Sequence, residues 1–246
     1  MIKYPIAIAT KGRPDGSTMK MLDSEGVAYT LFVEPQDAEL YCTYKNVVVI
    51  DENDKGLWYV RNKIIEYYQS KGATWVWVLD DDIKYFKEVI AKRCVNIPAK
   101  EMFDRLNTEF VKDYKAIVQL GLAYSQFAWS ATKRYSLDKV CDCCVCINVS
   151  KLGAIKFREM DFKVDRDFTL QILSKGKGSM LINQFAFVVP KNGSNKGGLH
   201  AKYHTEGLEE KASRDMIKKW PKVCTFNLKK DGRPDVKINW SYFKRK

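Results

Sequence analysis

Three adjacent carboxylates, Asp80, Asp81 and Asp82, follow directly on the apolar run Trp75-Val-Trp-Val-Leu79. Carboxylate oxygens are hard ligands, suited to Mg²⁺ or Mn²⁺, and such ions are commonly shared with a phosphate. Three neighbouring negative charges repel one another, so a partly buried cluster calls for a cation. Strand alternation would put Asp80 and Asp82 on one face and Asp81 on the other if the extended chain persists past Leu79. The plainer alternative is a solvated acidic turn capping a strand.

Two further groups could do chemistry. Asp165 and Asp167 open a helical pattern that Gly176 ends. A helix N-terminus favours ionised carboxylates, which can orient or deprotonate a hydroxyl, although aspartate there is also an ordinary cap. The other group is Cys141-Asp-Cys143-Cys144-Val-Cys146. The two-residue gaps match a zinc knuckle. Strand-like flanks at Lys139-Val140 and Ile147-Asn-Val149 instead split the sulfurs between opposite faces, which favours a buried strand.

These residues need a scaffold. Ile6–Thr10, Ala28–Val33 and Lys45–Ile50 read as strands, with Ser17 capping a short helix over Thr18–Ser24 and helical turns at Pro35–Tyr41. Leu57, Val60, Ile64 and Tyr68 lie at helical spacing, and Gly72 stops that helix. Trp75–Leu79 reads as a central strand. The acids would then stand at its carboxyl end, where open α/β sheets bind ligands. Glu101–Leu122 reads as one long helix, Tyr124–Ala131, Lys139–Val149 and Ser179–Val189 as strands, and Asp165–Lys175 as a helix. From Pro190 the chain reads as loop-rich and basic, with a last strand over Asp235–Trp240. The fold class is α/β, a Rossmann-type, mainly parallel sheet flanked by helices. Residues 1–190 would form the catalytic domain and residues 191–246 a basic segment packing on it.

Composition agrees. The chain has 246 residues, 46% of them hydrophobic, enough for a sizeable core and unlike a disordered protein. Its net charge is +12, and the last 56 residues carry 15 Lys and Arg against 6 Asp and Glu, a net +9. Such a surface attracts polyanions, with nucleic acid the first candidate partner. Tyr124, Phe127, Trp129, Lys133, Arg134 and Tyr135, and later Trp240, Tyr242, Phe243, Lys244 and Arg245, mix rings with charge as base-stacking and phosphate-holding surfaces do. No stretch reads as membrane-spanning and no signal peptide is evident, so seven cysteines imply reduced thiols and a cytoplasmic location.

Arg61-Asn62, then about one helix, then Gly72-Ala-Thr-Trp-Val-Trp-Val-Leu-Asp80-Asp81-Asp82-Ile83-Lys-Tyr-Phe86 resembles the core of the phage glycosyltransferases related to the TET-associated group. Met160–Gly176 and the run Gly197-Gly198-Leu-His200-Ala-Lys-Tyr203, followed by Trp220-Pro221, extend the likeness over most of the chain. Each block is short, and only the aspartate block is moderately specific. The resemblance implies a GT-A fold and transfer of sugar from a nucleoside-diphosphate sugar, a UDP-sugar first, to a hydroxymethyl pyrimidine such as hydroxymethylcytosine in phage DNA, or to a sugar already on it. It implies a host-cytoplasmic location if the chain is phage-encoded.

The resemblance also implies roles. Thr10, Lys11 and Arg13 would lie in the nucleotide loop, Arg61 near the diphosphate, and Asp80 and Asp81 on the donor. Asp80, Asp82 and His200 would hold Mn²⁺ or Mg²⁺, His200 being preferred to His204 because it lies closer to the glycine turn. Asp165 or Asp167 would act on the acceptor hydroxyl. Relatives often read Asp-Asp-Asn where this chain has three aspartates, which leaves open which oxygens hold the metal. The usual Glu-Asp pair is Val164-Asp165 here, which leaves the register of the acceptor carboxylate open. Rival readings are a nucleotidyltransferase, also built on strand-end carboxylates, and a non-catalytic nucleic-acid-binding module.

Overall fold

The structure, a computed structural model, describes residues 2–191, 194 and 205–243. A ten-stranded mixed sheet forms its centre. The strands are β1 (Ile6–Ala9), β2 (Thr30–Val33), β3 (Val47–Val49), β4 (Trp75–Asp80), β5 (Tyr85–Ile90), β6 (Arg93–Ile97), β7 (Ile117–Tyr124), β8 (Tyr135–Leu137), β9 (Cys144–Asn148) and β10 (Gly178–Val188). Their order is β3-β2-β1-β4-β9-β7-β10-β5-β6, with β8 pairing the first half of β10. Most strands run in one sense. β9, β5 and β8 run against it.

Both faces are covered, and β4 shows why. Trp75, Trp77 and Leu79 enter one core cluster while Val76 and Val78 enter the other, as period-two alternation in a doubly buried strand requires. On the first face lie α1 (Ser17–Ser24) and α3 (Ala99–Glu109), through Met19, Leu22, Met102, Phe103 and Leu106. On the second lie α2 (Leu57–Ser70) and α5 (Val164–Ser174), through Val60, Ile64, Phe168 and Ile172. Gly72 and Gly176 both take positive φ just past the ends of α2 and α5, the left-handed exit that glycine makes without a Cβ clash.

Several expectations need correction. The segment expected as one helix over Glu101–Leu122 divides into α3 and β7. Residues 117–123 are buried throughout, and a run apolar on both faces lacks the polar stripe that tells strand from helix. Tyr124 therefore ends a strand, and Ser125–Ala128 forms the short helix α4 instead of extending it. The β5–β6 hairpin was not anticipated, because its turn residues Ala91 and Lys92 hold φ of 49° and 63° without the usual Asn or Gly. Gly16, not Ser17, is the cap position of α1. The strand expected over Lys139–Val149 covers only Cys144–Asn148, since Cys143 at φ 54° breaks the alternation before it.

Among the described residues beyond Pro190 the structure adds elements to the one strand expected there, over Asp235–Trp240. It holds α6 (Leu208–Lys219) and a hairpin of β11 (Cys224–Leu228) and β12 (Pro234–Ile238). Met216, Val223, Cys224 and Val236 join the second core cluster. Among the described residues, no helix is long and apolar enough to cross a membrane.

Candidate active site

β1 and β4 pair in parallel up to Ala9 opposite Asp80, so Thr10 and the aspartates leave the sheet side by side. On the other flank of β4, the antiparallel β9 starts opposite Leu79, and the Asp80 amide donates to the Cys143 carbonyl at 2.8 Å. The ends of β1 and β4 and the start of β9 therefore share one rim.

The aspartate turn is pinned from below. The Thr18 hydroxyl donates to the Asp80 carbonyl at 2.7 Å and accepts from the Ile83 amide at 2.8 Å, while the Thr18 amide donates to the Asp81 carbonyl at 3.1 Å. Gly16 makes this approach possible, since a Cβ there would stand 2.6 Å from the Asp81 carbonyl oxygen. The chain does not stay extended through the cluster. Asp81 turns inward and accepts from the Thr10 hydroxyl at 2.8 Å and from Arg13 Nη1 at 2.7 Å. Arg13 Nη1 also lies 3.6 Å from Asp82. The alternation expected for the three acids is thereby replaced: one guanidinium spans Asp81 and Asp82, and Asp80 faces elsewhere.

Asp80 faces Arg61. This guanidinium, 2% exposed on α2, donates to Asp80 at 3.1 Å and forms a short ion pair with Asp165 at the N-terminus of α5. Its cation also sits 5.4 Å from the Phe157 ring centre, and Phe157 stacks on Phe168. The partners remain reachable, with Asp80, Asp82 and Asp165 side chains 28, 27 and 19% exposed. Arg61 is thus an internal counter-ion tying the strand-end acid to the helix-start acid.

Sequence reasoning missed a third carboxylate there. Asp142 lies in the cysteine run, close enough to Asp165 and Asp80 to feel both charges, and the Tyr124 hydroxyl lies 3.2 Å from the sulfur of its neighbour Cys143. Burial first, then Asp165 and Asp80, push its carboxyl up to about 7. Burial raises Asp80 as well, with Arg61 opposing and Asp82 adding to the rise. Asp165 is raised by burial and Asp80 against the pull of Arg61. Asp81 is raised by burial, opposed by Arg13 and Thr10. The only signal for Asp142 in the sequence was a lone acid among hydrophobic neighbours. Gly121 lets its segment dock, because a Cβ on Gly121 would lie 2.4 Å from Cys141 Cβ.

Other anticipated residues lie apart. Lys11 pairs with Glu34 at 2.6 Å and with Asp54, on the β2 side of the loop. Asp167 is fully buried and satisfied: Arg158 holds both its oxygens at 2.8 and 2.5 Å, and Trp220 Nε1 and Gln171 donate at 2.8 Å each. It joins α5 to the end of α6 and does not reach the acid cluster. His200 and His204 lie outside the described residues. All seven cysteines are free thiols, with Cys141 in one core cluster and Cys144 and Cys146 in the other.

Whether the residues fit a divalent metal turns on their donor chemistry. Among the described residues, no group of three His, Cys, Asp or Glu side chains is arranged as a complete metal cage. Mg²⁺-type sites beside phosphates commonly use only one or two protein carboxylates, with water and phosphate completing the shell. Asp80 and Asp82 supply such a pair. Both are part-exposed, Asp80 turned to Arg61 and Asp82 beside Arg13, so the set fits in donor type.

Residues 4–198 match the TET-Associated Glycosyltransferase family. The chain belongs to that family. It is a glycosyltransferase, and membership implies a nucleotide-sugar donor. No significant relative is found among curated proteins. Three solved structures share its outline. A197 from STIV is 10% identical with a TM-score of 0.46, over 77% of this chain and 86% of that one. CMP:2-keto-3-deoxy-manno-octonic acid synthetase complexed with CTP is 11% identical with a TM-score of 0.44, over 73% and 89%. Mannose-1-phosphate geranyltransferase from Thermus thermophilus is 9% identical with a TM-score of 0.44, over 76% of each chain. At these scores the likenesses are of outline only.

Proposed function

We propose that this glycosyltransferase moves a sugar from a nucleoside-diphosphate sugar, a UDP-sugar first, onto a hydroxymethyl pyrimidine in phage DNA or onto a sugar already attached to it. The observation that carries the reading is the Arg61-centred cluster, in which one buried guanidinium holds Asp80 and Asp165 together at the strand ends. Asp80 and Asp82 would hold Mn²⁺ or Mg²⁺, which when bound supplies positive charge against the diphosphate leaving group. His200 would be a further ligand.

The chain's own residues do the remaining work. Arg13, paired with Asp81 and Asp82 at the mouth, meets the donor phosphates, and Thr10 and Asp81 fix the loop that carries it. Lys11, tied to Glu34 and Asp54, lines the nucleotide side. Asp165 receives the acceptor hydroxyl. Arg61 and the amino end of α5 both favour its ionised form, in which it can orient the hydroxyl or take its proton. Beyond Tyr124, Phe127 and Trp129 are 63 and 52% exposed, and rings so placed can stack on an unpaired base. The free thiols suit a reducing, cytoplasmic setting, the host's if the chain is phage-encoded.

The test incubates the protein with several UDP-sugars and Mn²⁺, using duplex DNA with or without hydroxymethylcytosine, then digests the DNA to nucleosides for mass spectrometry. A sugar-mass increment on the modified base only, lost with EDTA and restored by Mn²⁺, is the expected result. Donor hydrolysis without transfer to any DNA would remove the acceptor reading and leave the glycosyltransferase standing.

A further inference from the structure

An open groove of about 820 Å³ lies between the chain leading into Asp142 and the β11–β12 hairpin. Leu137, Asp138 and Lys139 form one wall; Lys222, Lys237 and Trp240 lie on the other. The three lysines are exposed, and no described residue forms an ion pair with any of their ammonium groups. Trp240 is half-buried against the second core cluster, which fixes its indole at the groove.

We propose that this groove holds the phosphate backbone of a DNA strand, with Trp240 offering a stacking face to a base. Three ammonium groups that no described residue pairs, beside a fixed ring, form the combination that tracks a nucleic-acid strand. One acid, Asp138, stands on the rim against the three lysines, so the lining stays net positive. Continuity with the acid cluster supports the assignment. Lys139 precedes Asp142 by three residues, a reach of at most about 11 Å, or about three base steps along a strand. DNA held here can therefore present a nearby base to the carboxylates. The hairpin would then be the element that sets where on the DNA the enzyme works.

The proposal rests on the nucleic-acid acceptor reading, and the experiment separates the two. Binding of a fluorescein-labelled duplex of about 24 base pairs, long enough for the phosphate contacts counted here, is followed by anisotropy against salt with no donor present. The triple variant Lys139→Ala, Lys222→Ala, Lys237→Ala is expected to bind more weakly and to lose about 2.7 from the slope of log K against log salt, three phosphate contacts at about 0.9 each. A control variant, Lys45→Ala, Lys71→Ala, Lys100→Ala, removes equal charge outside the groove and should keep most of the slope. Should the triple variant lose thermal stability, Lys222→Gln and Lys237→Gln are measured singly, each expected to remove about 0.9. An unchanged slope in the groove variants, or an equal loss in the control, overturns the groove. No duplex binding by the parent protein overturns it too. UDP-sugar hydrolysis in the same samples reports separately on the glycosyltransferase, and should be equal in parent and groove variants.

Discussion

Arg61 joins two carboxylates that lie 19 and 104 residues from it in sequence, and this pairing separates the roles of two aspartates that look alike on paper. Asp165 and Asp167 share the first turn of α5, yet a two-residue step along a helix points them about 200° apart. One meets Arg61 at the part-open cluster; the other is sealed against Arg158 and Trp220. Asp165→Asn should cut sugar transfer per folded molecule by about 10²- to 10⁴-fold, as loss of a positioned base or hydroxyl acceptor does, and also lower stability because buried Arg61 loses one of its two carboxylate partners. Asp167→Asn should cost about 2–3 kcal/mol of stability, because a charged acceptor of several hydrogen bonds is lost from a buried site. Turnover per folded molecule should stay near the parent value. Steady-state transfer and urea denaturation on both variants check the contrast, and equal kinetic damage at Asp167 would place it at the chemistry after all.

At the scale of elements, the site depends on close approaches that only glycine permits. The segment Cys141–Cys143 must lie against β7 for Asp142 to face Asp80, and Gly121 supplies the space. Gly121→Ala forces its new methyl against Cys141, an overpacking that should cost about 1–3 kcal/mol. Because the displaced segment carries Asp142 and Cys143, donor turnover should fall by more than the lost folded fraction explains. Adding Cys141→Gly removes the nearest opposing atoms and should restore part of both quantities. Thermal melts and UDP-sugar hydrolysis on the single and double variants would read this, and a fully active Gly121→Ala protein would show that the segment's position does not matter.

At the scale of the whole molecule, the C-terminal hairpin is fastened to α5 by charge as well as by packing. Asp235 on β12 accepts from Arg166 of α5 at 2.6 Å, with Lys163 3.5 Å away. Burial alone would raise its carboxyl, but the Arg166 hydrogen bond and the neighbouring positive charges hold it below the usual value. A carboxylate with a depressed folded pKa stabilises the protein above the unfolded pKa, near about 3.9, and that contribution disappears as pH falls through the lower folded value. Asp235→Asn should therefore be about 2 kcal/mol less stable than the parent near pH 7, and the gap should shrink as pH falls below about 3.9. Chemical denaturation across that range tests the sign, and a gap that widened on acidification would refute it.

The sequence by itself determined the parts whose signals are local. A continuous apolar run ending in acids made β4 and its acidic rim legible, and glycine stops made α2 and α5 legible. Family likeness then rested on the same blocks. Tertiary structure alone decided which acid meets which cation. Asp81 went to Thr10 and Arg13, Asp80 to Arg61, Asp167 to a structural net, and Asp142 was drawn into the cluster from a run that reads as core. It also decided that Ile117–Tyr124 is a strand and that the basic tail carries a helix and a partner strand, β11, for the expected last one. The physical reason is the same throughout. Periodicity reports how one segment meets an unspecified interior, whereas strand order and helix placement, set by packing between distant segments, fix which side chains share a space.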